Sequence, residues 1–198
     1  DCLVAEAIEN AKAVNRPEYR QWVLRDIMKA QTHAGQMQAA RQTIRQLADA
    51  RYILVALREQ AEVLAETDRP QAAEELALSI PTSALRLKAL AAIAPAHKNN
   101  PAARNRLLDR VTHELTRQTG RFEAVDTALT LARGLISAGL RGDGEHLLAT
   151  VTGMAAQIGD PSLREKAELM LLETRAGSGD SDALAGLRSR LANPSLPP

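Results

Sequence analysis

Residues 19–50 read YRQWVLRDIMKAQTHAGQMQAARQTIRQLADA. Apolar side chains recur at three- and four-residue steps on both sides of Gly35, the pattern of two amphipathic helices joined by a turn. The pattern returns 33 residues on. Tyr19 aligns with Tyr52 and Leu85, Leu24 with Leu57 and Leu90, and Ile27 with Ile93, while Gln60 breaks that last column. Ala39 and Ala40 align with Ala72 and Ala73. The turns keep the same phase: His33-Ala34-Gly35, Glu66-Thr67-Asp68 and Asn99-Asn100-Pro101. Self-similarity at this spacing marks stacked units, none of which buries its apolar face alone.

Composition agrees with an all-helical chain. Of the 198 residues, 45% are hydrophobic, enough for a substantial core. Alanine and leucine dominate, both strong helix formers. Valine and isoleucine never alternate over a strand-length run, so no sheet is expected. The net charge of +1 gives no overall field toward nucleic acid or an anionic membrane. No stretch approaches the roughly 18 apolar residues of a membrane span. Basic residues are mostly arginine, which fits GC-rich bacterial coding and also supplies bidentate recognition of carboxylates.

A helix–turn–helix unit of this period resembles the tetratricopeptide repeat. Leu24, Ile27, Met28 and Gln31 occupy the apolar and small places of its first helix, and Ala40 the small place of its second. Leu57, Gln60, Ala61, Leu64 and Ala73 repeat them. Leu90, Ile93, Ala94 and His97 do so again, after which Arg106 departs from the pattern. The proline that closes each unit of the family is missing at its phase. The resemblance covers residues 19–102 and implies an all-α, right-handed superhelical solenoid of αα-hairpins that binds other proteins.

About eleven helices are expected in one helical-repeat domain, 1–198. A capping helix, 1–16, precedes hairpins 17–50, 51–81, 82–119, 120–159 and 160–192, and 193–198 form a proline-rich tail. Asn100-Pro101 and Asp160-Pro161 are cap-then-proline start signals. Thr82 or Ser83 is expected to cap the next helix, and Pro95 to kink its last turn. The helix after Gly35 is expected to run from Gln36 to Asp49, and the helix after Gly139 to begin at Glu145. Register changes place the weak seams near Pro81 and residues 139–144.

Catalytic chemistry is not evident. His33, His97, His113 and His146 lie on separate elements without zinc-ligand spacing. The glycine-rich segment 139–144 follows no strand, so it is not a phosphate cradle, and its Arg141-Gly142-Asp143 is expected to be loop. Residues 177–180 read as a turn in which Asp180 caps the last helix. The chain is therefore expected to be no enzyme and to hold no metal or cofactor. Cys2 is the single cysteine and cannot form an internal disulfide. A lipid-anchored bacterial protein carries cysteine as its first mature residue; here Asp1 precedes Cys2, and an inert thiol is expected ahead of a lipid anchor.

The resemblance also implies a partner groove lined by first helices. Its places there fall on Trp22, Arg25, Lys29, Thr32 and His33, then on Val55, Arg58, Glu62, Ala65 and Glu66, then on Lys88, Ala91, Pro95, Lys98 and Asn99. Arg25, Lys29, Arg58, Lys88 and Lys98 would form a basic stripe beside Trp22, suited to an acidic or carboxylate-terminated peptide. A one-residue change of phase turns Trp22 inward, and the core is the place expected for it ahead of the groove. The expected function is thus a non-catalytic scaffold for a protein or peptide partner, with no nucleic acid. Two alternatives are a self-associating assembly subunit and an accessory helical domain of an envelope enzyme. A bacterial source is expected, with periplasm ahead of cytoplasm.

Overall fold

The computed structural model describes residues 2–192. Asp1 and the expected tail 193–198 lie outside the described residues, as does the side chain of Cys2. Among the described residues the chain is all-α, with eleven α-helices and no strand. They are α1 (Cys2–Lys12), α2 (Pro17–His33), α3 (Met37–Ile44), α4 (Ala50–Glu66), α5 (Pro70–Ser79) and α6 (Ser83–Ile93). After a 3-10 segment, Ala94–Asn99, come α7 (Pro101–Thr116), α8 (Phe122–Ser137), α9 (Arg141–Ala156), α10 (Pro161–Gly177) and α11 (Ser181–Leu191).

Local chemistry sets most helix starts. Proline stands in the first turn of α2, α5, α7 and α10, where a missing N–H costs no intrahelical bond. The Asn100 side chain accepts from the Ala103 N–H at 3.1 Å, and Asp160 accepts from Leu163 at 2.9 Å. Asp180 accepts from both Asp182 and Ala183 at 3.0 Å. Thr82 stands at the N-cap of α6 but makes no side-chain capping bond. Arg86 holds that corner instead, its Nη1 donating to the Ile80 carbonyl at 2.8 Å. Pro95, expected to kink the last turn of this helix, lies beyond it: α6 ends at Ile93 and a 3-10 segment follows, because a proline lacks the N–H that would continue the helix.

One turn recurs at four places. Gly35, Asp68, Gly139 and Gly179 all have positive φ. In each case the next residue donates its N–H to a carbonyl five back: Gln36 to Gln31, Arg69 to Leu64, Leu140 to Leu135 and Asp180 to Arg175. This is the Schellman turn, which satisfies the last carbonyls of one helix and reverses the chain. It joins α2 to α3, α4 to α5, α8 to α9 and α10 to α11, and each of these pairs packs together. Five residues after the positive-φ residue, Ala40, Ala73 and Gly144 are buried against the preceding helix.

The contacts divide the chain into two compact units, 1–96 and 97–198. In the first, α2 packs on α1, α3 and α4, and α4 on α5 and α6. Leu24, Ile27, Met28, Ala40, Ile44, Leu47 and Ala56 form one buried cluster with Ala11. Burying each of its large side chains contributes about 1.5–3 kcal/mol. In the second unit, α8 packs on α7, α9 and α10, and α10 also on α9 and α11. Helix α8 buries Val125, Leu129, Leu131 and Leu135 completely.

Two further boundaries differ from the sequence expectation. Helix α3 stops at Ile44 rather than at Asp49. Asp49 is instead the N-cap of α4, its carboxylate accepting from the Arg51 N–H at 2.7 Å. Gln21 of α2 accepts from the Ala48 N–H at 3.1 Å and fixes the link between the two helices. Helix α9 begins at Arg141, not Glu145. The Arg141-Gly142-Asp143 tripeptide is therefore a first helical turn and not a loop, with Arg141 paired to Glu145 at 2.6 Å.

Candidate functional site: the α2–α4 face

Helix α2 keeps Leu24, Ile27, Met28 and Gln31 inside, so Tyr19, Trp22, Asp26 and Lys29 fall toward solvent. Trp22 is 54% exposed and Tyr19 45%. Their rings meet edge to face, with centroids 5.4 Å apart and planes at 75°. The Arg16 guanidinium stands 5.6 Å from the Tyr19 ring centroid. Of the two orientations open to Trp22 from sequence, the structure has the outward one. Its burial is incomplete because Gln21 and Leu24, not Trp22, point into the contact with α3 and α4.

One turn further along, Arg25 reaches across to α4. Its Nε donates to Glu59 Oε2 at 2.9 Å and its Nη2 to Glu59 Oε1, a two-pronged pair. This bond, opposed by burial, holds the Arg25 guanidinium above its ordinary value. Arg58 stands between two carboxylates: Nη2 lies 3.7 Å from Glu59 and Nη1 donates to Glu62. Burial pushes the Glu62 carboxyl up, and Arg58 pulls the other way. Lys29 pairs with Asp26 at 2.6 Å. His33 and Glu66 close the row at 3.9 Å.

The structure thus brings Trp22, Arg25, Lys29 and Arg58 together on one face of the first unit. Lys88 is half-buried on α6, and Lys98 is exposed in the second unit. Thr32, expected on the same face, is fully buried and donates to the Met28 carbonyl at 2.8 Å. The face is not a bare basic stripe, because Arg25, Arg58 and Lys29 each carry a carboxylate neighbour. Sequence alignment put Arg25 on Arg58. It missed Glu59, one residue on, which sits where two helix faces meet. An offset of 34 between Arg25 and Glu59 was the available signal.

No family model matches the chain, and no curated protein or solved structure matches it. The functional reading therefore stands on the geometry of this chain alone.

A hollow of about 330 Å³ lies in the second unit between α7 and α9. Leu108, Leu135 and Leu147 line it, with Asp109, Asp143 and His146. Asp143 is already held by Arg104 at 3.2 Å. Among the described residues no three metal-ligating side chains come together, and no helix is long and apolar enough to cross a membrane. Of the histidines, His97 is buried, while His33, His113 and His146 are exposed on separate helices.

Proposed function

We propose that this chain is a non-catalytic helical-repeat scaffold that binds a protein partner through the α2–α4 face. The observation that carries this reading is the exposed Tyr19–Trp22 pair. Tryptophan and arginine are the side chains that most often anchor protein interfaces, and an aromatic pair left in water gains from being covered. The four recurring αL turns support a stack of αα-hairpins in the tetratricopeptide manner, the solenoid reading of the fold.

In this reading an incoming segment covers the aromatic edge and sets its register on the Arg25–Glu59–Arg58–Glu62 row. An acidic side chain of the partner exchanges for Glu59 or Glu62 on an arginine. Charge then selects the partner more than it adds affinity, since each new pair replaces an existing one. Trp22 is the sole tryptophan, so its emission reports directly on the face.

The test is affinity capture from the source cells with the full chain and with a Tyr19→Ala/Trp22→Ala variant, folding being checked by circular dichroism. Loss of the same captured protein, together with a blue shift of Trp22 emission when that protein is added back, is expected. Undiminished capture by the folded variant would remove this face from consideration. An Arg25→Glu/Arg58→Glu variant asks the second question, whether the charged row selects the partner.

A further inference from the structure

Between Asp26 and Asp49 the chain has no carboxylate. Helix α3 lies inside that gap. Its outer side carries Gln38, Arg41, Gln42 and Arg45, all exposed, with half-buried Met37 at the start. These five side chains line an open hollow of about 460 Å³. Arg41 and Arg45 are one turn apart, about 6 Å along the axis, and so project in parallel. Neither arginine makes an ion pair among the described residues. On α2 and α4, by contrast, Arg25, Lys29 and Arg58 are each matched by a carboxylate.

We propose that the outer side of α3 is a second docking surface, taking an acidic protein segment with two carboxylates one helical turn apart. It is independent of the α2–α4 reading and would stand if that face bound nothing. Three features fit this occupant. Parallel guanidinium groups can each take a carboxylate in two-pronged fashion. The flanking Gln38 and Gln42 can both donate to and accept from a peptide backbone. Met37 offers an adaptable apolar floor at one end. A nucleic acid fits less well, because two cations on a chain of net charge +1 release too few counterions for useful affinity.

Arginine near a helix C-terminus also offsets the helix dipole. That accounts for Arg41 and Arg45 as stabilisers, but not for the absence of any carboxylate beside them. The exposed pair Arg106 and Arg110 on α7 is the natural control, since Asp109 and Glu114 share its helix.

The experiment uses the isotope-labelled full chain and a capped alanine-rich helical peptide with glutamates at i and i+4. The expected result is chemical-shift change at the Arg41 and Arg45 Nε–Hε groups and the Met37 methyl. Arg106 and Arg110 should stay still, and the glutamine version of the peptide should cause no change. Arg41→Gln/Arg45→Gln should weaken binding about tenfold, the worth of two exposed ion pairs. Its folding is checked by thermal melting, and Arg106→Gln/Arg110→Gln should bind normally. Equal shifts at both arginine pairs would reduce the effect to diffuse charge and overturn the proposal. So would equal binding of an oligothymidylate, or a double variant that melts lower yet binds the peptide as before.

Discussion

The α2–α3 and α8–α9 hairpins share a turn and differ in what they bury. Each reverses at a positive-φ glycine, Gly35 or Gly139, and each brings a small residue five places later against the preceding helix. In the first hairpin that residue is Ala40, and the core beside it is partly polar. Thr43 Oγ1 donates to Gln31 Oε1 at 2.8 Å, and Gln60 Nε2 donates to Thr32 at 3.4 Å. In the second hairpin the residue is Gly144 and the core is almost wholly apolar, with Ala128, Leu131, Ala132 and Leu135 at zero exposure. Removing one side chain lets helices pack by contact alone. Keeping a larger one leaves room that hydrogen-bonded glutamine and threonine fill.

The sharpest way to break the second arrangement is Gly144→Ala. A Cβ there would lie 2.6 Å from Ile136 Cγ1 and 3.1 Å from the Ala132 carbonyl oxygen. The variant should lose about 2 kcal/mol in urea unfolding, against alanine's helix-propensity gain of ~1 kcal/mol. An unchanged midpoint would mean that α8 and α9 separate without cost. The first arrangement is probed by Thr43→Val, which strands the buried Gln31 and should cost roughly 1–3 kcal/mol. Adding Gln31→Leu should recover much of that loss, since an apolar pair replaces a satisfied polar one. A double variant no better than the single would show that the pair is coupled to more than itself.

The shared turn offers a smaller test. Gly35→Ala forces a left-handed backbone on a side chain and should cost about 1 kcal/mol. Asp68 occupies the same conformation at φ 60°, so Asp68→Gly should stabilise the α4–α5 turn by roughly 0.5 kcal/mol. Opposite signs in thermal melts are the expected result. Two losses would show that Asp68 owes its place to something besides the turn.

The smallest effect is that of pH on the charged row. Burial raises the Glu62 carboxyl above its ordinary value of 4.5, so the folded chain holds that proton more tightly than the unfolded one. The stabilisation this gives is complete below 4.5 and is lost as pH rises through the folded value. Glu62→Gln removes the titration and still accepts from Arg58. Melting points of variant and parent should therefore diverge in the variant's favour from below pH 4.5 to neutrality. A constant difference across that range would mean that Arg58 cancels the effect of burial, and divergence in the parent's favour that the arginine governs Glu62.

Much of the helical layout was legible because its signals are local. Proline at a first turn, Asn100 or Asp160 before it, and glycine after the last turn act through backbone groups within five residues. The misplaced ends, at Ile44 and Arg141, show where that reach fails. Residues 45–49 are helix formers in isolation, but Gln21 from α2 takes the Ala48 N–H and Asp49 caps α4. Gly142 and Gly144 look like loop residues, yet both are helical, and at Gly144 a glycine stands because α8 leaves no space for a Cβ. Gln60 looked like a break in the repeat and is instead a buried donor to Thr32. The candidate face was half legible: periodicity gathered Trp22, Arg25 and Lys29 on one side of α2 and put Glu62 and Glu66 beside Arg58, but it did not find Glu59, the partner of Arg25.

By itself the sequence determined that the chain is helical, where most helices begin and which side of each is apolar. These follow from propensity, capping and a 3.6-residue period, all short-range effects. Only tertiary structure decided whether Trp22 faced in or out, that Glu59 of α4 reaches Arg25 of α2, and that Arg41 and Arg45 stay unpaired. Each of those depends on which residues of another helix come within a few ångströms. A helical period shows which side of a helix packs, but a shift of one residue exchanges one neighbour for another.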